Sequence, residues 1–192
     1  MQELTVFKKK IFMDQNFKLL DQAIKRFENF PNQGTLFYDI TPVFSNPQLF
    51  NFVLTQMAQF IKAINAEAIV CPEARGFIFG GALASKTQLP LVLVRKANKL
   101  PGQLIGASYD LEYRKHAVLE MSTTSLIQAN NAKRCVIVDD VLATAGTVAA
   151  IDQLLKQLNG ETVGYCFLIE LKKLNGKAKL QPNVVSKILL HY

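Results

Sequence analysis

The chain has 192 residues, enough for one compact α/β domain with a substantial core. Hydrophobic residues make up 49%, and no apolar run approaches the roughly 20 residues that cross a bilayer, which excludes a disordered chain and a membrane-spanning helix. Twenty-two Lys and Arg against 15 Asp and Glu leave a net charge of +7; the cations are dispersed, without an Arg-rich arm or zinc-finger spacing, which fits a small polyanionic substrate and argues against a nucleic acid.

Residues 14–28 predict an amphipathic helix, with Phe17, Leu20, Ile24 and Phe27 at helical spacing. Phe30-Pro31-Asn32-Gln33-Gly34 breaks it, and Thr35 to Ile40 reads as a short strand or extended loop ending at Pro42. Ser45-Asn46-Pro47 starts a helix that Leu49, Phe52, Val53, Phe60, Ile61 and Ile64 carry to about residue 65. Ala68 to Cys71 is a short buried strand, and Pro72-Glu73-Ala74-Arg75-Gly76 turns into a helix through Lys86. Leu89 to Arg95 is a second strand. Lys96 to Ser108, polar with two glycines and a proline, is expected to be the least structured stretch, with a strand at Ala117 to Met121 after a mobile hairpin.

The apolar run from Cys135 to Val138 ends abruptly in Asp139 and Asp140. A small-residue loop, Ala143-Thr144-Ala145-Gly146-Thr147, follows, and Val148, Ile151, Leu154, Leu155 and Leu158 then mark one face of a helix. A strand from Thr162 to Leu171 completes the alternation. Strands alternating with helices predict a single α/β domain with a mostly parallel central sheet and helices on both faces. Ligands of such sheets bind at the carboxyl ends of strands, which gathers Glu73 to Gly76, Arg95 to Lys99 and Asp139 to Thr147 on one rim. The three cysteines, Cys71, Cys135 and Cys166, lack any C-x-x-C spacing and read as thiols of a reducing cytoplasm. The N-terminus, with Glu3 and no apolar h-region, is expected not to be a secretory signal.

The chemistry of that rim is anion binding. Unpaired N–H groups at a helix start carry partial positive charge, and small residues let backbone close around a phosphate. Asp139 and Asp140 are placed to take sugar hydroxyls. Arg75 adds a planar fork of donors, and Arg95, Lys96 and Lys99 pack three cations into five residues. Neither a G-x-x-x-x-G-K-[ST] loop nor a G-x-G-x-x-G turn occurs. Two separated anion sites suit a substrate with a monophosphate at one end and a diphosphate at the other.

Val138 to Thr147 resembles the phosphoribosyl-pyrophosphate (PRPP) motif of type I phosphoribosyltransferases. Four further blocks, in family order, resemble the adenine-specific branch: Phe30 to Pro42, Pro72 to Phe77, Arg95 to Gly102 and Tyr109 to Tyr113. The resemblance implies the type I fold with a small N-terminal hood (residues 1–42) and a flexible catalytic loop. It implies transfer of phosphoribose from PRPP to adenine, with Mg²⁺ carried on the diphosphate and no confident protein metal ligand. The implied 5′-phosphate and ribose contacts are Asp139, Asp140, Ala143, Thr144, Ala145, Gly146 and Thr147. Glu73, Ala74, Arg75, Arg95, Lys96 and Lys99 would face the diphosphate. Leu36, Phe37 and Tyr38 would hold adenine, Leu36 by its backbone and Phe37 by stacking. Glu112 would carry a proton at the base. A cytoplasmic homodimer is implied, with basic loop residues reaching the partner's site and no membrane or nucleic-acid partner. Alternatives are the same fold acting on hypoxanthine, guanine or xanthine, or a non-catalytic PRPP-sensing regulator.

The chain departs from the family pattern in three places. Tyr38 stands where an arginine is usual, and backbone contacts are expected to read the base regardless. Ala145 replaces a common glycine, which implies a permissive backbone angle, because alanine at positive φ would cost on the order of 1 kcal/mol. Arg114-Lys115-His116 replaces Gly-[ST]-Asp and reads as a solvated hairpin, with extra positive charge near the diphosphate as the alternative. His191 carries no signal.

Overall fold

The structure, a computed structural model, describes residues 2–111 and 114–192. The chain forms two compact units, residues 1–55 and 56–192. In the first, α1 (Gln2–Ala23) is followed by β1 (Lys25–Glu28), β2 (Leu36–Asp39), α2 (Thr41–Phe44) and the start of α3 (Pro47–Ala63). The helix expected over 14–28 therefore stops at Ala23, and its last part is a strand. Phe27 fits a helical stripe by spacing, but Lys25 to Glu28 pair antiparallel with Asp39 to Leu36. Asn29, at φ 58°, makes the turn and accepts the Gly34 N–H at 2.8 Å. Asparagine tolerates that left-handed angle, so the turn closes and strand pairing overrides periodicity. The Asn46 side chain caps α3 by accepting the N–H groups of Gln48 and Leu49, both at 3.1 Å, with Pro47 in the first turn.

The second unit is a seven-stranded sheet of order β5-β6-β4-β3-β7-β8-β9. Its strands are β3 (Ala68–Pro72), β4 (Leu91–Lys96), β5 (Leu104–Leu111), β6 (Arg114–Ser122), β7 (Arg134–Leu142), β8 (Glu161–Glu170) and β9 (Val185–His191). Strands β4, β3, β7, β8 and β9 run parallel, while β6 is antiparallel to β4 and β5 to β6. The stretch expected to be least structured thus enters the hairpin at Leu104, where pairing from Leu104↔Ser122 to Tyr109↔Ala117 supplies order that its own composition does not suggest. Connecting helices are α4 (Gly76–Thr87), α5 (Ser125–Gln128) and α6 (Gly146–Gln157).

Val70 of β3 lies in the buried cluster with Val148, Ile151 and Leu154 of α6, whereas Cys71 lies against Gly80 of α4. Successive strand residues point to opposite faces, so α6 and α4 cover the two sides of the sheet as expected. Full burial of side chains such as Ile137, Phe167 and Leu154 is worth about 1.5–3 kcal/mol each. All three thiols are buried. Burial, then the carboxylates of Glu67 and Glu161, push the Cys135 thiol up to about 12, which leaves it protonated and unreactive. At the amino edge of the sheet the Glu67 carboxylate accepts the N–H groups of Lys133 (2.7 Å) and Arg134 (3.1 Å), and the Arg134 guanidinium donates to the carbonyls of Ile64 and Asn65. These bonds fix β7 against β3 at one end, which aligns their carboxyl ends at the other.

Neighbouring glycines of α4 meet different surroundings. A Cβ on Gly80 would stand 2.3 Å from Cys71 Sγ and 2.9 Å from Leu91 Cδ1, while one on Gly81 meets nothing within 4 Å. Gly80→Ala should lower the unfolding free energy by about 1–2 kcal/mol, overpacking outweighing the gain in helix propensity. Gly81→Ala should raise it by about 0.5–1 kcal/mol. Urea denaturation of both variants checks the opposite signs.

Candidate functional site

Three segments meet at the carboxyl edge on adjacent strands: Glu73 to Gly76 after β3, Arg95 to Lys99 at the end of β4 and beyond, and Asp139 to Thr147 at the end of β7 and beyond. Each is tied to the next. Glu73 Oε2 accepts from Arg95 Nε at 3.2 Å and from the Lys96 N–H at 3.3 Å, and the Glu73 N–H donates to the Val94 carbonyl at 2.9 Å. Arg95 also donates to the Lys99 carbonyl at 3.0 Å. Glu120 on β6 accepts the Asn98 N–H at 2.9 Å. On the other side, Arg75 Nε donates to the Asp140 carboxylate, which is 4% exposed. Glu73 therefore enters the site as the anchor of Arg95, and a guanidinium with five donors retains capacity for phosphate oxygens beyond one carboxylate.

The two aspartates differ. Asp139 Oδ1 accepts the Asp140 N–H at 2.9 Å and lies where a Cβ on Gly76 would come within 3.0 Å. Only glycine lets the first residue of α4 approach β7 this closely without displacing the carboxylate. Burial, then the neighbouring Asp140 charge, push Asp139 well above the usual carboxylate range. Glu73 goes the other way: burial opposes it, but the Lys96 N–H and the Arg95 guanidinium outweigh burial and hold its carboxyl below the ordinary value.

After β7 the loop Ala143 to Gly146 enters α6 through Ala145, at φ 64° and ψ 10°. This corrects the expectation of a permissive angle. Alanine here is left-handed, at a cost of about 1–2 kcal/mol, and the buried methyl returns about 0.8 kcal/mol by joining the core cluster. Packing retains alanine where conformation favours glycine.

Leu36, Phe37 and Tyr38 belong to the first unit and do not share a face. Directly opposed residues of an antiparallel pair point the same way, so Tyr38 lies with Arg26 and Phe37 with Phe27. The Arg26 guanidinium sits 6.0 Å from the Tyr38 ring centroid and is held by Asp21 at 2.7 Å. Phe37 packs edge-on against Phe30 at 5.1 Å, and Phe27 and Phe30 are half exposed. One face of the ribbon is thus an aromatic platform and the other a cation on a phenol ring. Tyr38 therefore lies on the face of the ribbon opposite Phe37.

Glu112 lies outside the described residues. Sequence reasoning also missed two pairings. Arg26 meets Tyr38 only through strand register. His191, silent in the sequence, hydrogen-bonds the buried Glu170 at 2.6 Å across β9 and β8, at the same edge of the sheet.

The chain is similar to known proteins over most of its length. The model of the phosphoribosyl transferase domain matches residues 43–188. The adenine phosphoribosyltransferase of Mycoplasma genitalium is 99% identical over 180 residues, covering 94% of this chain and all of that protein. That of Mycoplasma pneumoniae is 68% identical over the same shares. Among solved structures, adenine phosphoribosyltransferase from Rhodothermus marinus superposes with TM-score 0.83 at 36% identity, covering 93% of this chain and 99% of its own. The Saccharomyces cerevisiae enzyme, complexed with adenine and an imino-altritol bisphosphate, gives 0.80 at 33% identity, covering 92% and 99%.

Two measurements test the loop energetics. Ala145→Gly should change the unfolding free energy by less than about 1 kcal/mol, because relief of the left-handed strain is offset by the lost methyl and the added unfolded-state entropy. Asp139→Asn should stabilise at neutral pH. A carboxyl whose folded value is raised contributes fully only below its unfolded value and loses that contribution as pH rises through the folded one. The gain from asparagine is therefore absent in acid, opens above about pH 4 and levels off past the raised value. Melting curves at several pH values check it.

Proposed function

Because the chain belongs to the phosphoribosyl transferase family, with adenine phosphoribosyltransferases as its relatives, we propose that it joins adenine to PRPP, forming AMP and pyrophosphate in purine salvage. The bond from the ribose C1 to the diphosphate oxygen breaks as a bond from the base nitrogen forms. Positive charge develops on the sugar while negative charge gathers on the departing diphosphate. Arg75, Arg95, Lys96 and Lys99 stabilise that leaving group, on preorganised supports rather than in free solution. The backbone of Ala143 to Thr147 at the start of α6 grips the 5′-phosphate. Asp139 and Asp140 take the ribose hydroxyls, and Ala74 lends its backbone to the diphosphate turn. Holding both ends of PRPP aligns C1 for attack.

The observation that carries this reading is the joining of three anion-facing turns at adjacent strand ends by the Arg75–Asp140 and Arg95–Glu73 pairs. On the ribbon, the Leu36 backbone and the Phe37 ring hold adenine, and Tyr38 backs the opposite face. Glu112 carries the proton at the base. The residues also fit Mg²⁺. Asp139 and Asp140 offer two neighbouring carboxylates at the strand end that carries the phosphate loop. That suits a cation that takes one or two carboxylates and fills its shell with substrate phosphates and water. When bound, the ion neutralises charge on the diphosphate. A cytoplasmic homodimer completes the reading. Buried free thiols favour the compartment, and the exposed Ile78 and Leu93, on elements that pack together, favour the assembly.

The test incubates protein, Mg²⁺ and PRPP with adenine, hypoxanthine, guanine or xanthine in turn. Adenine is converted to AMP in preference to the rest. Conversion of another base with adenine untouched overturns the base assignment, and no conversion coupled to PRPP-dependent DNA binding substitutes the regulator. In the same assay Glu112→Gln lowers turnover by about 10²–10⁴-fold with PRPP binding retained. Undiminished turnover removes Glu112 from proton transfer.

A further inference from the structure

We infer that Gly176 is a positioning residue for the 5′-phosphate loop, set behind it by the connection between β8 and β9. The inference rests on the reading of Ala143 to Thr147 as that loop. The connection leaves β8 with the Leu171 N–H donating to the Leu142 carbonyl at 3.0 Å, which ties it to the end of β7. Two short 3-10 turns follow, Lys172–Leu174 and Gly176–Lys179, with Asn175 between them at φ 52°. Gly176 is buried at that junction.

A Cβ built on Gly176 would stand 2.1 Å from the Ala143 carbonyl oxygen, 3.0 Å from its carbon and 3.2 Å from the Ala145 nitrogen. An unstrained carbon–oxygen contact needs roughly 3.3 Å. The obstruction differs in kind from that at Gly164, whose Cβ would meet the side-chain ends of Ile64 and Phe60. A side-chain tip can rotate away. Here the obstacle is the backbone of the loop itself, including the amide of Ala145, which already holds a left-handed angle. A methyl group at 176 must therefore push the Ala143 carbonyl off its place by roughly 1 Å, the shortfall between the two distances, and crowd the Ala145 nitrogen by a few tenths of an ångström. Those groups belong to the cradle that faces the phosphate. The hydrogen between two chain segments at Gly176 thus sets the height of the floor on which the phosphate loop rests.

The prediction is selective. Gly176→Ala should raise the KM for PRPP by about tenfold or more and cut kcat/KM for PRPP by on the order of 10²-fold, with the KM for adenine changed far less. Gly81→Ala, the same substitution on an open surface, should leave both constants unchanged. Equal rises in both KM values, or a folded Gly176→Ala with the PRPP constant of the parent, overturn the inference. A parent protein that does not use PRPP overturns the reading of the loop instead. If Gly176→Ala does not fold, hydrogen–deuterium exchange on the parent decides. PRPP should slow exchange in residues 174–178 together with 143–147, and protection confined to 143–147 overturns the coupling.

Discussion

A parallel sheet delivers the ends of its strands to one edge, and the pairing of β3 with β4 and β7 decides which residues meet there. Ile69 opposite Leu91 and Val136 sets a register that carries Glu73, Arg95 and Asp139 out together. A slip of one residue would exchange the faces of the strand, turning Val70 from the α6 cluster towards α4 and Cys71 away from it. Burial on both faces makes that slip costly. Glu67 and Arg134 reinforce it at the opposite edge, far from the chemistry, by holding the first residues of β7. The site is as well placed as the core is well packed.

On that edge, charge is arranged in pairs. Glu73 with Arg95 and Asp140 with Arg75 each bring one carboxylate to one guanidinium, so the cations are oriented before any phosphate arrives. A buried carboxylate without such a partner would be expensive. The same rim drives two acids in opposite directions, Asp139 upward by burial and a like charge, Glu73 downward by N–H donors and a cation. Environment rather than residue type decides which acid holds its charge most firmly.

Close backbone approach is the second recurring device. Gly76 lets α4 begin beside Asp139, Gly80 lets the same helix lie on Cys71, and Gly176 lets the β8–β9 connection touch the loop after β7. Ala145 shows the limit of inferring conformation from residue type. Alanine stands there, yet the left-handed angle that glycine would favour is kept, with a buried methyl compensating in part.

By itself the sequence determined the alternation of strands and helices, the strand-end motifs, the common rim and the family. These are local matters: an apolar period reports one element's face, and a carboxylate pair before a small-residue loop reports one turn. Tertiary structure alone decided that Lys25 to Glu28 form a strand, that Leu104 onward joins a hairpin, and that Tyr38 and Phe37 look opposite ways. It alone gave Arg26 to Tyr38, Arg75 to Asp140 and His191 to Glu170. In each of these the partner stands elsewhere in the chain. Register and packing select it, and neither leaves a trace in the local pattern of residues.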